Sequence, residues 1–185
     1  KQHQPWLNTR ILPVDSVIAP QRLNQALREV SPDAVILLGE AGGSQTIRLE
    51  TTAWNELDFR IPDIAGRQPR GETIHVSAPE SLRSTLPLDV IHHLLQEQGH
   101  PVTYSDDAGR YLCNQILFHC LWKIERSGHS VPAGFIHLPL ESDYPTVQVV
   151  DGLEAVIDAV VRTRNTAAPS AGRIAARNAV RGRRR

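Results

Sequence analysis

The chain has 185 residues, 20 basic and 20 acidic side chains, and an apolar fraction of 41%. That suits one ordinary globular domain with its own core and leaves little room for a second. No apolar stretch reaches the length of a bilayer span, no basic-then-apolar leader opens the chain, and only Cys113 and Cys120 are present; a disulfide scaffold is excluded and a cytosolic, reducing location is expected.

Taken in chain order, the apolar pattern alternates between strand and helix periods. Residues 9–14 and 34–38 read as strands, the second a continuous apolar run suited to a sheet covered on both faces. Between them Pro20 opens a helical pattern with Leu23, Leu27 and Val30 on one side, stopped by Ser31-Pro32, which makes a β-α-β unit and implies parallel pairing. A glycine-bearing loop leads to a strand over 46–54, then to a long irregular stretch reaching about residue 79, of the kind that covers a site or an interface. A helix over 87–98 stops at Gly99, and a strand at 101–105, a helix at 111–126, a strand at 133–138 and a last helix at 150–162 follow. The expected fold class is α/β, a three-layer α/β/α sandwich on a mostly parallel central sheet, over residues 1–165. From Thr166 onward the composition changes: Arg173, Arg177, Arg181, Arg183, Arg184 and Arg185 occur with no acid and no core-forming pattern, so 166–185 reads as a disordered tail. Without those six charges the rest of the chain is acidic, about minus six, so nucleic acid is not an expected partner.

Three residues are candidates for chemistry, although taken singly Cys113 also fits buried packing, His137 a hydrogen-bonded structural residue of a core strand and Glu50 a charge on an edge strand. Cys113 follows Gly109-Arg110-Tyr111-Leu112 where a loop becomes the start of an apolar helix, a place where the helix dipole favours a thiolate. His137 is the one imidazole in the apolar strand Gly134-Phe135-Ile136-His137-Leu138-Pro139, and Glu50 lies in Leu49-Glu50-Thr51-Thr52-Ala53-Trp54. A thiol, an imidazole and a carboxylate are the parts of a cysteine hydrolase. Cys120, two helical turns beyond Cys113, reads as core. His92 and His93 are adjacent and point apart on a helix, and His3, His75, His100, His119 and His129 show no ligand spacing, so neither a metal nor a cofactor is expected.

These segments, with Gly39-Glu40-Ala41-Gly42-Gly43, Arg60-Ile61-Pro62-Asp63, Gly66-Arg67-Gln68-Pro69 and Ser84-Thr85-Leu86-Pro87, resemble the pyroglutamyl peptidase type I family, also called pyrrolidone-carboxylate peptidases. The resemblance implies removal of N-terminal pyroglutamate from peptides through a thioester on Cys113, with His137 as proton carrier and Glu50 as its orienting carboxylate. It also implies a homotetramer. Arg60 matches the family arginine near the catalytic centre, where it would stabilise charge on Glu50 or at the oxyanion; alternatively it pins the long loop. Ile61, Tyr111 and Leu112 match wall positions of the pocket, and each also fits plain core. The resemblance begins only after the family's N-terminal strand and Gly-Phe-x-Pro-Phe-Gly-Gly loop, and Glu40, Ser44 and 141–144 depart from its pattern. An assembled triad with weakened substrate grip is therefore expected, the alternative being a weakly active or inactive homologue serving as a binding or oligomerisation module.

Overall fold

The structure, a computed structural model, describes residues 7–167. Helix α1 (Ile18–Val30) starts where Asp15 Oδ1 accepts hydrogen bonds from the N–H groups of Val17 and Ile18, both at 2.8 Å, so a carboxylate satisfies donors that have no intrahelical acceptor. Pro20 falls in the first turn, where no N–H is needed. Ser31, at φ 47°, ends the helix and returns its N–H to the Leu27 carbonyl at 3.0 Å.

After α1 come β1 (Val35–Glu40), β2 (Ile47–Glu50), β3 (Thr52–Trp54), β4 (Ser81–Arg83), α2 (Leu88–Glu97), β5 (Val102–Ser105), α3 (Leu112–Ser127), β6 (Ala133–Leu138) and α4 (Thr146–Ala167). The main sheet has the order β1-β6-β2-β5, and β3 and β4 form a separate ribbon. β1 pairs with β6 and β2 with β5 in parallel, whereas β2 and β6 run antiparallel. That single antiparallel junction sets Arg48 opposite His137 and Glu50 opposite Phe135.

Alternation along the strands divides the core in two. Leu37, Ala133 and Phe135 turn toward α1 and α3 and meet Leu23, Leu117 and Phe118. Ile47, Leu49 and Ile136 turn the other way, toward Ile91 and Leu95 of α2 and Val156 and Val160 of α4. Each fully buried Leu or Ile contributes about 2 kcal/mol. The three-layer α/β/α sandwich is the expected one.

Four expectations are corrected. Residues 9–14 form no strand: Ile11 is 99% exposed, Pro13 lacks the N–H a ladder needs, and Val14 instead accepts a hydrogen bond from Ile64 N–H in the long loop. The expected β-α-β unit at the start is therefore absent, and the parallel partner of β1 is β6. The single strand expected over 46–54 breaks at Thr51, whose N–H donates to Ser105 of the main sheet while its carbonyl accepts from Ser84 N–H beside the ribbon. β4, which partners β3, lies just beyond the stretch read as irregular, and α4 extends past both ends of the expected 150–162. Helix α4 includes Thr166 and Ala167, and the rest of the expected tail, 168–185, lies outside the described residues.

Candidate active site

Glu50 ends β2 and is 0% exposed. An isolated carboxylate at such a depth is costly, so its partners define the site. Its Oε1 accepts a hydrogen bond from His137 Nδ1 at 2.7 Å, and Arg48 Nε lies 3.6 Å from the same oxygen. With Nδ1 committed to Glu50, Nε2 is the nitrogen left for Cys113. Burial disfavours the imidazolium, but the hydrogen bonds and charges of Cys113 and Glu50 outweigh it and raise the His137 pKa to about 9. Phe135, two residues before His137 on the same face, sets its ring 4.7 Å from the imidazole.

Gly39 determines whether the thiol fits. It pairs with His137 across β1 and β6, and a Cβ at Gly39 would stand 3.3 Å from Cys113 Sγ and 2.7 Å from the Phe135 ring. The absence of a side chain there is what lets the start of α3 approach the sheet beside the imidazole.

Cys113 occupies the second position of α3, after Tyr111 in extended backbone at φ −96° and ψ −160°. The N–H groups of Leu112, Cys113 and Asn114 have no acceptor among the described residues, as expected for the first turn of a helix. The preceding loop turns at Gly109, at φ 80°, and is held by Arg110. The Arg110 guanidinium pairs with Asp107 and with Glu56 at 3.0 Å, and stacks over Trp54 at 5.1 Å. Asn114 latches the other side: its Oδ1 accepts from Trp54 N–H at 2.8 Å, and its Nδ2 donates to the carbonyls of Trp54 and Glu56 at 2.8 and 3.0 Å.

The other sequence-derived residues are distributed more widely. Tyr111 is half-buried, edge-on to Phe59 at 4.5 Å, and its hydroxyl donates to the Pro62 carbonyl at 3.2 Å. Ile61 is 47% exposed, open to a ligand, whereas Leu112 lies in the core between α1, α3 and the sheet. Arg60 is exposed, and its side chain forms no hydrogen bond or ion pair with the described residues; the cation beside Glu50 is Arg48. Glu40 is exposed. Cys120 is fully buried, and burial pushes its pKa up to about 12.

Three features were missed in the sequence. Arg48 was readable as the residue two before Glu50 on a strand, hence on the same face. Asp63 was seen only as part of a motif, yet its carboxylate accepts from Ser16 N–H and Oγ, Ala65 N–H and Arg67 N–H, which fastens the Arg60 loop to the start of α1. The pairing of His75 Nε2 with His119 Nδ1 at 3.1 Å, linking the long loop to α3, had no local signal because 44 residues separate the two. Among the described residues no group of three or more His, Cys, Asp or Glu side chains is placed to hold a metal ion.

On an α/β/α sandwich, a helix-start thiol beside an imidazole that is paired to a buried carboxylate has the components of a cysteine-hydrolase site. Comparison with known proteins narrows that class. The family model described as pyroglutamyl peptidase matches residues 2–172. The pyrrolidone-carboxylate peptidase of Thermococcus litoralis is 41% identical over 134 residues, 72% of this chain and 61% of the relative; that of Pyrococcus furiosus is 38% identical over 142 residues, 77% and 66%. The solved structure of the Thermococcus litoralis pyrrolidone carboxyl peptidase superposes with a TM-score of 0.83 at 32% identity, covering 85% of this chain and 78% of that one. The chain belongs to the pyroglutamyl peptidase family. It spans about three fifths to two thirds of the length of those two curated relatives.

Proposed function

We propose that the protein is a cysteine exopeptidase that hydrolyses the amide bond following an N-terminal pyroglutamate. The observation that carries this reading is the buried 2.7 Å hydrogen bond between His137 and Glu50 with Cys113 on the far side of the same imidazole, in a chain of this family. The Cys113 thiolate attacks the pyroglutamyl carbonyl carbon, and the oxyanion that forms is met by the free N–H groups at the start of α3. The Nε2 proton of imidazolium His137 passes to the departing amine as the C–N bond breaks, leaving a thioester on Cys113 and a neutral ring. His137 then takes a proton from water, the resulting hydroxide equivalent attacks the thioester, and pyroglutamate leaves as the thiolate and imidazolium are restored. Glu50 keeps the Nδ1 proton in place throughout and balances the positive ring.

Arg60, exposed on its loop, is assigned to the oxyanion, and Ile61 and Tyr111 to the wall that receives the lactam, a small uncharged ring that needs an apolar slot with backbone donors at its edge. The partner is a peptide with a pyroglutamyl N-terminus, the assembly a homotetramer, and the location cytoplasmic. No described helix is long and apolar enough to cross a membrane.

The test is release of a chromogenic amine from a pyroglutamyl amide, with and without a thiol alkylator, by the wild type and by Cys113→Ala. Alkylator-sensitive release that Cys113→Ala abolishes supports the reading; a folded wild type with no release overturns it. Light scattering of the purified chain tests the tetramer.

A further inference from the structure

We propose that Arg48 is a positioning residue of this site, a fixed cation that stays beside the buried Glu50 carboxylate while His137 changes charge and that couples Glu50 to the loop carrying Cys113. The inference rests on the thiol, imidazole and carboxylate reading above, and not on the identity of the substrate.

The carboxylate of Glu50 is completely buried, one oxygen accepts from His137, and the other, Oε2, has no hydrogen-bond partner among the described residues. While His137 is an imidazolium the pair is neutral. Once its proton has gone to the leaving amine, Glu50 faces an uncharged ring and would stand as a lone buried anion. Arg48 Nε, 3.6 Å from Oε1, is the cation that remains.

Its guanidinium is also held in place. Nη2 donates to Ser105 Oγ at 2.7 Å and to the Asp107 carbonyl at 3.1 Å, and Ser105 Oγ donates to the same carbonyl at 3.2 Å. Those acceptors belong to the end of β5 and the loop that runs to Cys113. One side chain thus touches the carboxylate and the segment that delivers the thiol. The planar fork of arginine serves both contacts at once, which a lysine ammonium does not.

Among the described residues, the charged and titratable groups facing this centre are Arg48 and Glu50 from β2, His137 from β6, and Cys113 from α3, with Tyr111 near enough to feel the Cys113 charge. The Asp107 carboxylate is turned to Arg110, and β1 contributes Gly39, which carries no charge. Arg48 is therefore the standing positive charge in contact with the pair. Removing it raises the pKa of every acid it faces.

The experiment reads the rate of iodoacetamide alkylation of Cys113 against pH in the wild type, Arg48→Gln and Arg48→Lys, with Cys120 as a buried reference. Arg48→Gln is expected to move the alkylation midpoint upward by about half a pH unit or more. Arg48→Lys is expected to bring it back toward the wild type while kcat for pyroglutamyl amide hydrolysis stays reduced, because the fork to Ser105 and Asp107 is lost. Where hydrolysis is measured, both limbs of the kcat/KM profile move to higher pH in Arg48→Gln, and kcat falls more than KM rises.

A folded Arg48→Gln with an unmoved midpoint overturns the proposal, as does Arg48→Lys with the same shift as Arg48→Gln. If Arg48→Gln does not fold, Ser105→Ala decides, since it frees the guanidinium without removing its charge: an upward shift with lowered kcat supports the coupling, and a wild-type profile with wild-type kcat overturns it. A wild type that hydrolyses no pyroglutamyl amide, yet whose Cys113 alkylation depends on Arg48 as described, defeats the substrate reading and leaves this one standing.

Discussion

Two thiols on one helix differ in what surrounds them. Burial pushes the Cys120 thiol up to about 12, while Cys113 is only partly buried and has an imidazole beside it. Peptide mapping after brief iodoacetamide treatment at pH 7 is expected to find the label on Cys113; faster labelling of Cys120 in the folded chain would contradict the site. Gly39 tests the same place by bulk. The Cβ of Gly39→Ala, 2.7 Å from the Phe135 ring and 3.3 Å from Cys113 Sγ, forces a shift of one or both, so thermal denaturation should report a loss of about 1–3 kcal/mol and the alkylation of Cys113 should slow. His137 adds a dependence on pH. Its pKa of about 9 in the folded chain lies above the 6.5 of a free imidazole, so the stability it contributes is fully present below pH 6.5 and is lost as pH rises through about 9. The gap in Tm between the wild type and His137→Asn should be widest below pH 6.5 and narrow steadily toward pH 9.

Elements carry the site because long-range latches hold them in register. Asn114 joins α3 to the end of β3 and the residues just after it through three hydrogen bonds across about 60 residues of sequence. Asn114→Ala removes three part-buried hydrogen bonds to the backbone of Trp54 and Glu56, and chemical denaturation should find it about 3 kcal/mol less stable. The long loop is anchored similarly, among other places by Asp63 at the start of α1, by the Tyr111 hydroxyl at Pro62 and by the His75 and His119 pair on α3. Its irregular backbone, which carries Arg60 and Ile61, is thus tied to the body by side chains. Those ties were not readable from its prolines and glycines, because the anchors belong to distant segments.

The whole molecule answers acid through the Asp63 anchor. Burial pushes Asp63 up, but donors from Ser16, Arg67 and Ala65 outweigh it and hold the carboxyl below its ordinary range. Its contribution to stability is therefore present above about pH 4 and is lost as pH falls. Asp63→Asn should lower the Tm near neutrality and lose its difference from the wild type in strong acid; an unchanged difference at all pH values would show that the loop is not held by this charge. At this scale much of the fold was legible from local pattern. The runs at 34–38 and 133–138 identified two core strands and the 3.6-residue periods identified the four helices of the described residues, because burial on both faces of a sheet and on one side of a helix leaves marks in neighbouring residues, whereas Glu50, Cys113 and His137 were singled out together by the resemblance to the pyroglutamyl peptidases. Tertiary structure alone decided that residues 9–14 are not a strand, that 46–54 divides at Thr51 between two sheets, and that β2 and β6 run antiparallel. Those outcomes depend on which backbone donors find acceptors across the sheet, a choice made between segments tens of residues apart. Arg48 belongs to the same category: its spacing from Glu50 is local, but the carboxylate, Ser105 and Asp107 meet around it only once the sheet has closed.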